Sequence, residues 1–374
     1  MPILHKISAN GSLFSARSGA VLLDAALLQG VEFPHDCRAG RCGTCLTRVK
    51  KGITLGGETG EPRTVYACQA RVLSDLKVEF DDLPPPQTVG AQVTGMTDLA
   101  QDVVELQVRP DGPLPILPGQ YCRFTFRGFP TRAYSPTVSM TGETQAESFR
   151  LQIQRVPGGQ VSTNLGERIC SGHRLTIEGP FGTAFHRPGR SERLVLVARG
   201  TGFAPILAVA DAALRENFQR DMVVIAASRR IEELYMPAAL GRLSTAPNAS
   251  VVATVEQPQG QSRLVRTGPV EDHLPCLTRG DIVYVAGGRR FVEGVANLAR
   301  AVGAQVHFDA FESSGSDNSA GGFFGKFAKT AKSVVFGAAP AAANGNSVGR
   351  PTINVPPRSQ DRRWDRGGSA PDAA

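Results

Sequence analysis

The spacing of apolar and polar positions changes character along the chain and predicts a different element set in each stretch. Over residues 1–86 the apolar runs are short and mixed. Residues 3–7 and 11–15 suggest the two strands of a hairpin. Residues 22–29 repeat apolar side chains at helical spacing until Gly30. Residues 45–49 and 77–80 read as further strands, and 81–86, closing on Pro84-Pro85-Pro86, reads as a stiff linker. The order predicts a small α+β domain over 1–86. Residues 87–188 are strand-rich. Stretches 101–108, 121–126 and 148–154 carry alternating or β-branched patterns between Gly and Pro, and helical spacing occurs only at 161–168. This is the profile of a small antiparallel β-barrel.

Residues 189–312 differ again. Residues 194–198 form a continuous apolar run, followed by a glycine turn and an alanine-rich helical stretch. Similar runs recur at 222–227, 250–255 and 281–286, the last before a helical pattern at 291–301. Strands alternating with helices predict a parallel α/β sheet. Residues 313–374 are a low-complexity tail rich in Gly, Ala, Ser and Pro, too poor in apolar side chains to order itself. Within it, residues 323–335 place Phe323, Phe324, Phe327, Ala331 and Val334 on one arc of a helical wheel and Lys326, Lys329 and Lys332 opposite. A basic amphipathic helix suits an anionic membrane surface or an acidic partner groove. A helix packed on its own protein gives the same pattern.

Composition narrows the classes. With 374 residues there is room for two or three domains, and a 41% hydrophobic fraction is ordinary for globular cores. The net charge of +7 favours acidic partners, but no nucleic-acid module is found in the folded stretches. No signal-peptide pattern and no long apolar run occurs, so a cytoplasmic protein is expected, with any membrane contact peripheral. The seven cysteines do not resemble a disulfide scaffold, which fits a reducing compartment. Cys122, Cys170 and Cys276 lie scattered in apolar contexts and are expected to be core thiols.

The other four cysteines carry the chemistry. Cys37, Cys42 and Cys45 stand in the order C-x4-C-x2-C, answered by Cys68. That is the plant-type spacing for a [2Fe–2S] cluster. Gly40 and Gly43 free the loop backbone to fold over the inorganic core. A zinc site of four cysteines prefers a C-x2-C pair at each end, and only one such pair exists here. The segment from His35 to Cys45, with Cys68 in Val65-Tyr66-Ala67-Cys68-Gln69-Ala70, resembles the plant-type ferredoxin half of fused reductases that serve bacterial multicomponent oxygenases. The stretch between Cys45 and Cys68 is shorter than is usual there, which is read as a trimmed surface loop.

The barrel stretch contains Arg132-Ala133-Tyr134-Ser135, then Gly158-Gly159-Gln160-Val161-Ser162, then Gly179-Pro180-Phe181-Gly182. In this order they resemble the ferredoxin–NADP reductase superfamily. The resemblance implies a bound flavin, FAD more than FMN. Arg132 would pair with its pyrophosphate, Tyr134 would lie against the ring or ribityl chain, and Ser135 would hydrogen-bond near the atom that takes the hydride. Gly159 would let backbone approach the phosphates, and Ser162 would cap a helix facing them. Ser135 and Tyr134 are the expected catalytic pair.

In the α/β stretch, Ala198-Arg199-Gly200-Thr201-Gly202-Phe203-Ala204-Pro205 runs from strand through glycine turn to helix. Gly200, Thr201 and Gly202 would form the pyrophosphate turn and Pro205 the first helical turn. Arg199 replaces a glycine of the family pattern. In Val285-Ala286-Gly287-Gly288, Ala286 stands where the family has a cysteine beside the nicotinamide, while the turn survives in Gly287. Glu256 would accept from a ribose 2′-hydroxyl and repel a 2′-phosphate, favouring NADH over NADPH, although Arg229 and Arg230 lie near by. His307-Phe308-Asp309-Ala310-Phe311 falls where the family places an acidic-x-aromatic segment, and Phe311 would shield the flavin or fill the core.

The resemblance covers residues 1–311. It implies a path from NADH to flavin as hydride, then in single electrons to the [2Fe–2S] cluster and an outside acceptor, first of all an oxygenase or hydroxylase component. Two alternatives stay open. One is a reductase for a deoxysugar dehydratase or a membrane desaturase. The other is a redox sensor or adaptor without turnover, which the departures at Arg199 and Ala286 suggest.

Overall fold

The computed structural model describes residues 3–142, 148–257 and 265–311. The pattern at 323–335, and the tail that holds it, lie outside the described residues.

The first sheet belongs to an α+β unit of the β-grasp kind. Its elements are β1 (Leu4–Ala9), β2 (Ser12–Arg17), α1 (Leu22–Leu27), β3 (Leu46–Lys51), β4 (Thr54–Leu55), β5 (Thr64–Tyr66), β6 (Arg71–Val72) and β7 (Leu76–Glu79). Strand order is β2-β1-β7-β3-β5, with β1 and β7 parallel, and β4 pairs with β6 apart from it. Alternation sends Ile7, Ala9, Phe14 and Ala16 inward, where Leu22, Leu23 and Ala26 of α1 cover them. The helix ends as its glycine predicts: Gly30 has φ 71° and its N–H bonds back to the Leu27 carbonyl. Cys45 and Cys68 sit at the edge of this same core.

The second sheet is wholly antiparallel. It comprises β8 (Gln87–Ala100), β9 (Val103–Pro110), β10 (Tyr121–Phe126), β11 (Arg132–Tyr134), β12 (Phe149–Gln154) and β13 (Arg174–Phe181), in the order β11-β10-β13-β8-β9-β12. A bridge between Thr137 and Arg150 ties its two edges together, closing a barrel around Val104, Leu106, Phe124, Leu151 and Ile177. The expected helix at 161–168 is corrected to a single 3-10 turn, Ser162–Asn164. Val161, Leu165 and Ile169 are all buried at spacing four, which imitates a helix. The turn stops because Gly166 takes φ 94° and bonds to Ile169 instead.

The third sheet is parallel throughout. It holds β14 (Arg193–Arg199), β15 (Met222–Ser228), β16 (Ala249–Val255), β17 (Val265–Thr267), β18 (Asp281–Gly288) and β19 (Gln305–Phe311), with helices α2 (Phe203–Glu216), α3 (Pro237–Leu243) and α4 (Arg289–Ala301). The order β17-β16-β15-β14-β18-β19 shows the chain running outward from β14 and then returning to its other side. Leu194, Leu196 and Ala198 pack toward α2, and Val195 and Val197 pack toward α4. Burial on both faces is why these strands read as continuous apolar runs. The switch of direction leaves a crevice at the carboxyl ends of β14 and β18, the place where such sheets bind ligands.

Two cysteine expectations are corrected. Cys122 is buried in the barrel, but Cys170 and Cys276 are exposed. Each lies in a connection, where an apolar sequence neighbourhood does not imply a core position.

Candidate functional site

The loop between α1 and β3 has no regular structure, yet its backbone is tightly specified. Arg38, Gly40 and Gly43 all take left-handed conformations. A side chain at Gly40 would stand 3.0 Å from Cγ of Gln69. This curl brings Cys37, Cys42 and Cys45 toward Cys68, and all four thiols are free. They fall into two pairs. The Cys45 thiol donates to Sγ of Cys68 at 3.4 Å. Sγ of Cys37 lies in hydrogen-bonding reach of the Cys42 thiol, which also donates to Oγ1 of Thr44 at 3.3 Å, and it accepts the backbone N–H groups of Ala39 and Cys42 at 3.4 Å each. The donated thiol lowers Cys37 to about 5 and Cys68 to about 6, each opposed by burial, while the donors Cys42 and Cys45 are pushed up.

A centre of two irons joined by shared sulfides needs two thiolates for each iron, which is the two-plus-two grouping seen here. A structural zinc needs four sulfurs around one point. Among the described residues, no three metal-ligating side chains gather around a single ion position. The residues present fit the [2Fe–2S] group through this pairing of four thiols.

The cysteine loop is held against the barrel. The Asp36 carboxylate, 6% exposed, accepts from both the Tyr121 hydroxyl and the Arg123 guanidinium of β10. Oγ1 of Thr44 accepts the Gly182 N–H at 3.1 Å, and the Thr183 hydroxyl donates to the Gly43 carbonyl at 3.4 Å. Burial, then the neighbouring Cys42, raises the Tyr121 phenol far above its ordinary range, so it stays a donor. Sequence reasoning missed these contacts. Asp36 beside the first cysteine and Tyr121 after Pro118-Gly119-Gln120 were the available signals.

At the far end of β11 the flavin-motif residues come together. The Arg132 guanidinium donates to the Thr131 carbonyl at 2.8 Å and reaches Oε1 of Gln160 at 3.4 Å, which sets it beside the Gly158-Gly159 turn. Ser162 does not cap a helix. Its hydroxyl accepts the Val156 N–H at 3.1 Å and closes the turn. Gly159 is required there, because a Cβ would meet that hydroxyl at 2.5 Å. The half-buried Tyr134 has its ring 5.8 Å from Phe124, and burial pushes its phenol up to about 12.

Ser135 makes the contact that joins two sheets: its hydroxyl donates to Oδ2 of Asp309 in β19 at 2.9 Å. Asp309 is half-buried as a residue, but its carboxyl lies deep among protein atoms. Burial pushes it up to about 6 against the Ser135 hydrogen bond. The acidic-x-aromatic pattern pointed at Asp309, yet only Phe311 drew a role from it; Phe311 ends β19, half-buried.

The crevice at the carboxyl ends of β14 and β18 is built from backbone. Gly200 takes φ 55° and opens a short turn, Gly200–Gly202, into α2, with Thr201 half-buried and Pro205 inside the first turn, where no N–H is needed. A Cβ on Gly202 would lie 2.2 Å from the Ala286 carbonyl oxygen, so the turn presses directly on β18. Gly287, at φ 149°, leaves room for Arg199 and Phe291. Glu256 does not stand alone: it is paired with Arg199 at 2.7 Å. Arg230 is paired with Glu233 at 3.1 Å.

Comparison with known proteins matches this layout. Residues 7–73 match the 2Fe-2S iron-sulfur cluster binding domain family, 91–186 the oxidoreductase FAD-binding domain family and 196–297 the oxidoreductase NAD-binding domain family. The chain is 32% identical over 322 residues to the ferredoxin–NAD(P)+ reductase component of the naphthalene 1,2-dioxygenase/salicylate 5-hydroxylase systems of a Ralstonia species, covering 80% of this chain and 96% of that one. It is 32% identical to the ferredoxin–NAD+ reductase component of the alkene monooxygenase system of Xanthobacter autotrophicus, covering 81% and 98%. Among solved structures, the ferredoxin reductase in carbazole 1,9a-dioxygenase aligns with TM-score 0.58 and 26% identity, over 83% of this chain and 99% of that one. No helix among the described residues is long and apolar enough to cross a membrane.

Proposed function

The chain belongs to the family of ferredoxin–NAD(P)+ reductase components of multicomponent oxygenase systems, and from that premise we propose that it oxidises NADH in preference to NADPH and passes the electrons one at a time to a terminal oxygenase or hydroxylase. The observation that carries the reading is the meeting of three parts. Ser135 of the barrel touches Asp309 of the parallel sheet, and the cysteine loop is held on that barrel by Tyr121, Arg123 and Gly182.

In this reading the turn at Gly200, Thr201 and Gly202 and the start of α2 receive the dinucleotide pyrophosphate. Glu256 receives the adenosine ribose, and Gly287 keeps the crevice open. Arg132 neutralises the flavin pyrophosphate, with Gly159 and Ser162 shaping the turn beside it. Tyr134 would lie against the flavin ring and Phe311 would shield it. Flavin, when bound, supplies the conversion of a two-electron donor into single-electron steps. Ser135, held by Asp309, would present its hydroxyl to the bound flavin. Ala286 offers no thiol there, which leaves Ser135 and Asp309 as the polar groups that orient the reaction. Cys37, Cys42, Cys45 and Cys68 would hold the cluster.

Anaerobic titration of the reconstituted protein with NADH tests the proposal. Bleaching of the flavin band followed by loss of the iron–sulfur absorbance is expected. A spectrum that does not change with NADH or NADPH favours the sensor reading, to which the departures at Arg199 and Ala286 point. Zinc in place of iron and sulfide refutes both. The basic amphipathic pattern at 323–335 supports peripheral contact with an anionic membrane, checked by flotation with anionic vesicles.

A further inference from the structure

We propose that Arg199 is a specificity-determining residue of the nucleotide crevice: paired with Glu256, it lets the site accept the 2′-phosphate of NADPH as well as the bare ribose of NADH. The inference rests on the reductase reading above and adds a residue and a ligand group to it.

The placement comes from strand alternation. Val195 and Val197, two and four positions before Arg199, lie in the core on the α4 side of the sheet, and so does Val252, four before Glu256. Arg199 and Glu256 therefore rise on one face, at the carboxyl ends of β14 and the segment after β16, and join across the end of β15 at 2.7 Å. Ligands of such sheets lie along this edge, with an acidic group near the ribose and, in sites that take a 2′-phosphate, an arginine near by. The side chains of Arg199 and Glu256 are 28% and 43% exposed. An ion pair so open to water contributes little to stability, so folding does not explain it. The guanidinium is instead kept within reach of the crevice, 5.9 Å from the Phe291 ring, while the missing side chain of Gly287 leaves room for the Arg199 backbone and Cβ beneath it.

The chemistry follows from charge and shape. A lone Glu256 accepts a ribose 2′-hydroxyl and repels a 2′-phosphate. Glu256 bound to Arg199 has its charge offset, and an incoming phosphate exchanges with the carboxylate for the same planar fork of donors. Arg230 is less suited, being tied to Glu233. Arg229, whose backbone N–H bonds Glu233 at 3.1 Å, is the rival cation.

The test compares kcat/KM for flavin reduction by NADPH and NADH in the wild-type holoenzyme, R199A, R199K, E256Q and R229A. Alongside it runs binding of two fragments, adenosine 2′,5′-bisphosphate and 5′-AMP. A lost charge-assisted contact predicts that R199A lowers the NADPH-to-NADH ratio by about tenfold or more. Adenosine 2′,5′-bisphosphate should weaken by a similar factor relative to 5′-AMP, with R199K retaining part of both effects and E256Q shifting the ratio toward NADPH. An equal fall with both dinucleotides, or a ratio that moves in R229A and not in R199A, overturns the assignment. If neither dinucleotide bleaches even the wild type, the reductase reading fails, and the fragment ratio still decides the role of Arg199.

Discussion

Ser135 and Asp309 show how much one hydrogen bond between domains can be asked to do. The Asp309 carboxyl sits at about 6, above its ordinary 3.8, because burial disfavours its charge. The folded chain therefore binds this proton more tightly than the unfolded one. The stability it contributes is fully present below the ordinary value and is lost as pH rises through the folded value. Asp309→Asn keeps an acceptor for Ser135 without the charge. It should raise the melting temperature of the apoprotein relative to wild type at pH 8, and by less at pH 5. Because Asp309 retains some open surface, the gain is about 1 kcal/mol at most, or a few degrees. Thermal melts at the two pH values check this, and an equal offset at both shows that the charge is not responsible. Ser135→Ala removes the hydroxyl that, in the proposed reading, faces the flavin, and with it the bond to Asp309. It should slow flavin reduction by NADH about tenfold or more, within the range for one positioned proton-bearing group. Stopped-flow bleaching reads that rate, and the visible spectrum of the cluster should be unaltered.

At the scale of elements, the glycine turn of the crevice behaves as a steric lock. Gly202 has no room for a Cβ, which would stand 2.2 Å from a backbone oxygen of β18. Gly202→Ala must push the turn off the strand, which is expected to cost about 1–3 kcal/mol and to abolish dinucleotide binding. Gly241, inside α3 with nothing within 4 Å of its Cβ position, is the matching control. Gly241→Ala should stabilise by up to about 1 kcal/mol. Denaturant midpoints for the two variants should move in opposite directions.

The same elements show what the sequence makes legible. The strands of the parallel sheet were readable because burial on both faces writes an unbroken apolar run. The cysteine spacing was readable because ligation geometry is local. The turn at Ser162–Asn164 was misread as a longer helix because three buried residues at spacing four carry the same pattern in either case, and only Gly166 distinguishes them. Cys170 and Cys276 were misplaced because an apolar neighbourhood does not say which way one side chain faces. The pairs Asp36–Tyr121, Ser135–Asp309 and Arg199–Glu256 join residues far apart in sequence, and no local pattern records a partner that only folding brings near.

For the molecule as a whole, the contact between the cysteine loop and the barrel governs function, because electrons must cross between two folding units with separate cores. That contact is polar. It consists mainly of Asp36 with Tyr121 and Arg123, Thr44 with Gly182, and Gly43 with Thr183, with Asp81 and Arg187 joined near the linker. Interfaces of this kind permit relative motion unless specific bonds prevent it. Asp36 is the central bond, since it precedes the first cysteine and its carboxylate takes two donors from β10. Asp36→Asn weakens the attraction to Arg123, and Tyr121→Phe removes one donor while keeping the ring against Phe181, 5.7 Å away. Neither change touches the crevice of β14 and β18, so NADH should still bleach the flavin at close to its normal rate. Reduction of the cluster should then lag by about tenfold or more, since a misplacement near 1 Å is enough to cost orders of magnitude in a positioned reaction. Rapid freezing after mixing with NADH, with the reduced cluster followed by electron paramagnetic resonance, separates the two events. If the cluster signal in both variants rises as early as in wild type, the Asp36 bonds do not set the crossing, and the contacts of Thr44 with Gly182, Gly43 with Thr183 and Asp81 with Arg187 hold the units in register without them.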